Sequence, residues 1–185
     1  MPKDRRPRRS TDTDPVLLGA ILAGGQARRF GSDKAQALFE GARLIDRVAA
    51  ALSAQCEAVV VCGREESGFA CLPDWPEPGL GPLGGLAAAL RHAGDRGFQG
   101  VLSAGVDVPD LPHDLAAALT SEGVAIVESQ PVVGLWPVRA GPLLAGFMAD
   151  GGRSLYRFAD HVGARRVELP RALMNVNRPE DLPPA

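Results

Sequence analysis

The chain has 185 residues, with 20 Lys and Arg against 22 Asp and Glu and a formal charge of −2. That length suits one domain of ordinary size, and 45% hydrophobic with 23% charged residues argues against a disordered chain or a collagen-like fibre. The charge is uneven: residues 1–14 hold Lys3, Arg5, Arg6, Arg8 and Arg9 against Asp4, Asp12 and Asp14, so the remainder is net acidic, which argues against a nucleic-acid-binding body.

Residues 1–14 read as a disordered basic tail and 15–185 as the folded domain. The apolar run Val16–Ala23 follows a basic stretch, as an export signal does. Asp12 and Asp14 sit directly before it and Arg28-Arg29 soon after Gly24-Gly25, so it is read as a strand over Val16–Leu22 and not as a leader. Apolar residues at Leu44, Ile45, Val48, Ala49 and Leu52 have the spacing of a core-facing helix. A second strand is predicted at Ala58–Val61, a helix at Leu83–His92 entered through Pro82, and a third strand at Val101–Ala104. A helix near His113–Leu119 follows, then strands at Val124–Glu128 and Val132–Trp136. Helices near Leu143–Ala149 and Leu155–His161 lead to a last strand at Arg165–Glu168. Cys56, Cys62 and Cys71 are too few and too irregularly spaced for a disulfide framework or a zinc site, which suits a reducing cytoplasm. No stretch reaches the ~20 apolar residues that span a bilayer, so no membrane role is expected.

Strands alternating with helices predict an α/β fold: a single doubly wound, mostly parallel sheet with helices on both faces. In such sheets ligands bind outside the carboxyl ends of the strands. Three loops occupy those positions. The first runs from Ala23-Gly24-Gly25 to Asp33-Lys34, the second is Cys62-Gly63-Arg64, and the third is Gly105-Val106-Asp107-Val108-Pro109.

The first loop suits phosphate. Paired glycines let backbone N–H groups approach an anion, and Arg28, Arg29 and Lys34 add three cations. It has neither the Gly-Lys-Ser/Thr of a Walker A loop nor the dinucleotide fingerprint. Its plainer reading is a glycine turn beside solvated basic residues. Asp107, delivered by an apolar strand opposite that loop, stands where a nucleotide enzyme holds Mg²⁺, which takes one or two protein carboxylates. Its plainer reading is a helix N-cap. His92, His113 and His161 fall in helical patterns away from these loops and read as surface or capping residues.

The segment Leu22-Ala23-Gly24-Gly25-Gln26-Ala27-Arg28-Arg29-Phe30-Gly31-Ser32-Asp33-Lys34 resembles the opening motif of the molybdenum cofactor guanylyltransferases, the MobA family of the nucleotidyltransferase superfamily. Gly81-Pro82-Leu83-Gly84-Gly85, Val106-Asp107-Val108-Pro109-Asp110-Leu111-Pro112 and Asn175-Val176-Asn177-Arg178-Pro179-Glu180-Asp181-Leu182 are similar to that family's later motifs, in the same order. The resemblance implies a Rossmann-like nucleotidyltransferase fold, with a nucleotide-binding half over about 15–112 and an acceptor-binding half over about 113–185.

It further implies a Mg²⁺-dependent transfer of GMP from GTP to the terminal phosphate of molybdenum-loaded molybdopterin. Leu22, Ala23, Gly24 and Gly25 would contact the nucleotide, Lys34 and Arg29 the phosphates, and Asp107 the metal. Asp74 would be a further nucleotide contact, and Asn175 and Asn177 would line the pterin side. Cys62 stands where the family often has Asn, which places one nucleotide contact in doubt. Nothing near Cys62 in sequence supplies the base a nucleophilic thiol needs. The stretch Pro131–Pro137 is expected in the acceptor wall, with Trp136 either stacking on a pterin or packed in the core. Expected partners are GTP, the loaded pterin, other proteins of molybdenum cofactor biosynthesis and apo-molybdoenzymes. The rival readings are a relative that uses CTP or a sugar phosphate, and a non-catalytic nucleotide-binding accessory protein.

Overall fold

A computed structural model of the protein describes residues 15–24 and 33–182. The basic tail, Gly25, Arg28, Arg29 and Gly31 lie outside the described residues. In chain order the elements are β1 (Leu17–Leu22), a 3₁₀ turn (Lys34–Gln36), β2 (Leu38–Phe39), β3 (Ala42–Arg43), α1 (Leu44–Ser53), β4 (Ala58–Cys62), β5 (Ala70–Leu72), α2 (Gly81–Arg96) and β6 (Gly100–Gly105). There follow α3 (Leu115–Leu119), β7 (Ala125–Val127), β8 (Gln130–Pro137), α4 (Ala140–Ala149), α5 (Leu155–His161), β9 (Arg165–Val167) and a 3₁₀ turn (Pro179–Asp181). Seven strands form one sheet in the order β5-β4-β1-β6-β8-β7-β9, and β2 pairs with β3 in a separate ribbon.

β1 is buried along its whole length, as a central strand covered on both faces must be. Its side chains alternate between two cores. Leu18, Ala20 and Leu22 face α2, α4 and α5, while Leu17 and Ile21 face α1 and α3. α1 turns Ile45, Val48, Ala49 and Leu52 inward, the 3.6-residue spacing seen in the sequence.

The sheet is mostly parallel, as expected, with one exception. β8 runs antiparallel to both β6 and β7. The cause is local: only Glu128 and Ser129 separate β7 from β8, and two residues can close a hairpin but not a parallel crossover.

Trp136 belongs to the core and not to the acceptor wall. Its side chain is fully buried and its ring stacks on Phe158 at 5.8 Å between centroids. The indole N–H donates to Ser103 Oγ at 2.9 Å, and that hydroxyl donates to the Val132 carbonyl at 2.7 Å. Ser103 is thus a buried polar residue that satisfies a buried N–H. Ser103→Ala leaves the indole N–H without its partner, and a loss of about 1–3 kcal/mol is expected, read as a lower midpoint in urea denaturation.

Candidate active site

Three strand ends meet at one level. Leu22 of β1 pairs with Cys62 of β4 on one side and Gly105 of β6 on the other. The chain moves outward from β1 to β4 and β5, then returns through α2 to β6 on the opposite flank, so the strand order reverses at β1. A cleft of about 280 Å³ opens there, bounded by Leu22 and Ala23, Lys34, Arg64, Asp107 and Val132.

Two of the residues expected to carry chemistry face each other across it. Lys34 Nζ lies 3.4 Å from Asp107 Oδ2 and 3.4 Å from Asn177 Oδ1. Both distances are longer than a well-formed bond of about 2.9 Å, so the ammonium retains donor capacity for an incoming anion. The backbone explains the meeting. Asp33 caps the 3₁₀ turn that bears Lys34 by accepting from the Ala35 N–H at 3.1 Å. The Val176 N–H donates to the Asp107 carbonyl at 2.9 Å, which stitches the C-terminal segment to the Asp107 loop. Asp181 then accepts from the N–H groups of Asn177 and Arg178 at 2.7 and 2.8 Å. These two bonds hold its carboxyl below the usual carboxylate range. Asn175 does not join the cluster, and its amide oxygen is buried with no partner among the described residues.

On the β4 side the glycines are there for close approach. Gly63 has φ +83°, and a Cβ on it would lie 2.6 Å from Gly24 Cα. A Cβ on Gly84, in the first turn of α2, would lie 2.7 Å from Leu80 Cβ and 3.0 Å from Asp74 Cβ. Asp74 sits among these glycines. Its Oδ2 accepts from the Gly79 N–H at 3.2 Å, while Oδ1 is buried without a partner among the described residues.

Burial pushes the Asp74 carboxyl up from its ordinary value of 3.8. A raised folded-state pKa means the ionised form costs stability, and the penalty is relieved as pH falls through that pKa. Asp74→Asn is therefore expected to raise the melting temperature at pH 7. The advantage should shrink as the pH is lowered towards 3.8, followed by thermal unfolding across the acid range.

Cys62 requires a correction. Its side chain is fully buried, with its Cβ beneath the first turn of α2. Its carbonyl accepts from the Ala23 N–H at 3.0 Å. The thiol therefore does not line the cleft as a nucleotide contact. Burial, with the Asp74 charge nearby, pushes it up to about 12, so no reactive thiolate forms near neutral pH.

The sequence placed Asp33 and Arg64 in loops expected at the cleft but assigned neither a role. Arg64 donates to both carboxylate oxygens of Asp33, each at 2.7 Å, and this pairing holds Asp33 below its ordinary pKa. The usable signal for Arg64 was a charge directly after Gly63 at the exit of β4. His92, His113 and His161 are not among the cleft residues. No group of three or more His, Cys, Asp or Glu suited to a metal occurs among the described residues. No helix among them is long and apolar enough to cross a membrane.

The chain is similar to known proteins in sequence and in fold. Residues 19–167 match the model of the MobA-like NTP transferase domain. The chain is 38% identical over 182 residues to a molybdenum cofactor guanylyltransferase of Cereibacter sphaeroides, covering 90% of this chain and 93% of that protein. In fold it is similar to the molybdopterin-guanine dinucleotide biosynthesis protein A of Archaeoglobus fulgidus, with a TM-score of 0.71 at 21% identity over 90% of this chain and 94% of that one. It is also similar to the 2-C-methyl-D-erythritol 4-phosphate cytidylyltransferase of Thermus thermophilus, with a TM-score of 0.68 at 18% identity over 91% and 95%. The matched domain spans most of the sequence, from within β1 through α2, β6 and the Lys34 and Asp107 loops: the chain belongs to the MobA-like NTP transferase family.

Proposed function

We propose that the protein transfers GMP from GTP to the terminal phosphate of molybdenum-loaded molybdopterin, with release of pyrophosphate. The observation that carries the reading is Lys34 set opposite Asp107, with Asn177 on the same ammonium, where the strand order reverses. Similarity to guanylyltransferases over nine-tenths of the chain supports guanosine as the nucleoside and the pterin phosphate as acceptor. The fold alone does not choose the base, since a cytidylyltransferase shares it.

An oxygen of the acceptor phosphate bonds to the α-phosphorus of GTP, and the bond from that phosphorus to the bridging oxygen of the β-phosphate breaks. The acceptor is already an anion, so no strong general base is required. What the chain supplies is position and charge compensation. Lys34 provides a cation with donors to spare, and Arg64 lies in the same cleft wall. Gly24 and Gly63 let the exits of β1 and β4 pack closely against each other beside that wall.

The donor set suits Mg²⁺. Of the two acids in the cleft, Asp33 has both oxygens engaged by Arg64, whereas Asp107 offers a half-buried carboxylate whose one side-chain partner among the described residues is the long contact to Lys34. A hard cation that takes one or two carboxylates fits that arrangement. Asp107 would hold it, and when bound it would offset charge on the phosphates. The reducing cytoplasm, where thiols such as those of Cys56, Cys62 and Cys71 stay unpaired, suits this chemistry.

The test is pyrophosphate release from purified protein with Mg²⁺, the molybdenum-loaded pterin and each nucleoside triphosphate in turn. Turnover with GTP is expected. Turnover with CTP alone would reject guanylyl transfer, and binding without turnover of any nucleotide would identify a non-catalytic accessory protein.

A further inference from the structure

Glu66 is the one charged residue in the buried class among the described residues, at 8% exposure. Burying a carboxylate is costly unless it is paired, and here each oxygen has two polar contacts. Oε1 accepts from Gln36 at 3.1 Å and from Arg43 at 2.9 Å. Oε2 accepts from Gln36 at 2.9 Å and lies 3.1 Å from an Arg64 guanidinium nitrogen. These partners come from three separate segments: the 3₁₀ turn that carries Lys34, the start of α1, and the exit of β4. Glu66 itself is not among the residues lining the cleft. Beside the direct pair of Asp33 with Arg64, it is a second tie between the Lys34 side and the Arg64 side of the cleft.

We propose that Glu66 is a positioning residue for polyphosphate, helping to fix the spacing between Lys34 and Arg64 by accepting from Gln36 while ion-pairing with Arg64. The inference rests on the nucleotidyl-transfer reading of the cleft. Two conventional roles make opposite predictions. As a mere nearby negative charge, Glu66 weakens anion binding, so Glu66→Gln should leave it unchanged or tighten it. As a positioning residue it strengthens anion binding, so the same change should weaken it. Gln has nearly the same shape, but its amide NH₂ faces donors that the carboxylate oxygen accepted from.

The experiment measures calorimetric binding of inorganic tripolyphosphate, a probe that needs neither base nor acceptor. Wild-type protein is expected to bind it, and Glu66→Gln at least fivefold more weakly. In an Arg64→Ala background the Glu66→Gln change should have a much smaller effect, because Glu66 acts through Arg64. Gln36→Ala changes an exposed residue and keeps the carboxylate paired to both guanidiniums. It should weaken binding at least threefold, and it decides the matter if Glu66→Gln does not fold. Equal or tighter binding in these variants, equal losses in both backgrounds, or no wild-type binding would overturn the inference. GTP turnover by wild-type protein is scored separately, so guanylyl transfer can stand while the role of Glu66 falls.

Discussion

Asp107→Asn is expected to lower nucleotidyl transfer by about a hundredfold while the protein stays folded. Removing one preorganised group that stabilises developing charge costs on the order of 10²–10³ in rate, and Asn retains the shape of Asp while losing its charge. The fold should tolerate the change. The backbone carbonyl of Asp107, which receives the Val176 N–H at 2.9 Å, is untouched, and the side-chain contact to Lys34 is long. The defect should also respond to Mg²⁺: raising its concentration should recover more activity in the variant than in the wild type. Steady-state rates with a Mg²⁺ titration, checked against a thermal melt, make the measurement. A variant within threefold of wild type at every Mg²⁺ concentration would remove Asp107 from the mechanism.

Lys34→Ala is expected to produce a loss of similar size, at least tenfold and of the order of a hundredfold, with a different signature. Lys34 sits between Asp107 and Asn177, and without its ammonium two oxygen-bearing groups face the cleft uncompensated. A polyanion then meets net repulsion, so KM for the nucleotide should rise as kcat falls. Added salt should change the rate of the variant less than that of the wild type, because one screened attraction is gone. Lys34→Arg restores charge but presents a planar fork in place of a compact ammonium, and partial recovery is expected. Kinetics at two ionic strengths separate these outcomes.

Much of this was legible in the sequence because the cues were local. The apolar strand before Gly24 and the periodic helix Leu44–Ser53 both follow from short-range pattern, and α5 falls on the residues expected for it. Of the short elements, β7 and β9 fall within the strands expected at Val124–Glu128 and Arg165–Glu168, whereas β2, β3 and β5 were not legible because two or three residues are too few for alternation to register. The antiparallel run of β8 was lost because parallel pairing was inferred from strand-helix alternation, which fails once Glu128-Ser129 makes a hairpin.

At the site, Lys34 and Asp107 were visible as charges at strand exits. The burial of Cys62 was not, because nothing in Cys62-Gly63-Arg64 reveals that the first turn of α2 closes over the thiol. The Glu66 cluster was equally hidden. Its partners at 36, 43 and 64 meet only through tertiary packing, and a glutamate in a charged loop carries no sign of being buried.

The central claim is tested most directly by following the label from GTP. With molybdenum-loaded molybdopterin present, ³²P at the α-position should appear in a larger pterin dinucleotide, and ³²P at the γ-position in pyrophosphate. Recovery of the α-label only as GTP or free GMP, with no labelled pterin product, would contradict guanylyl transfer.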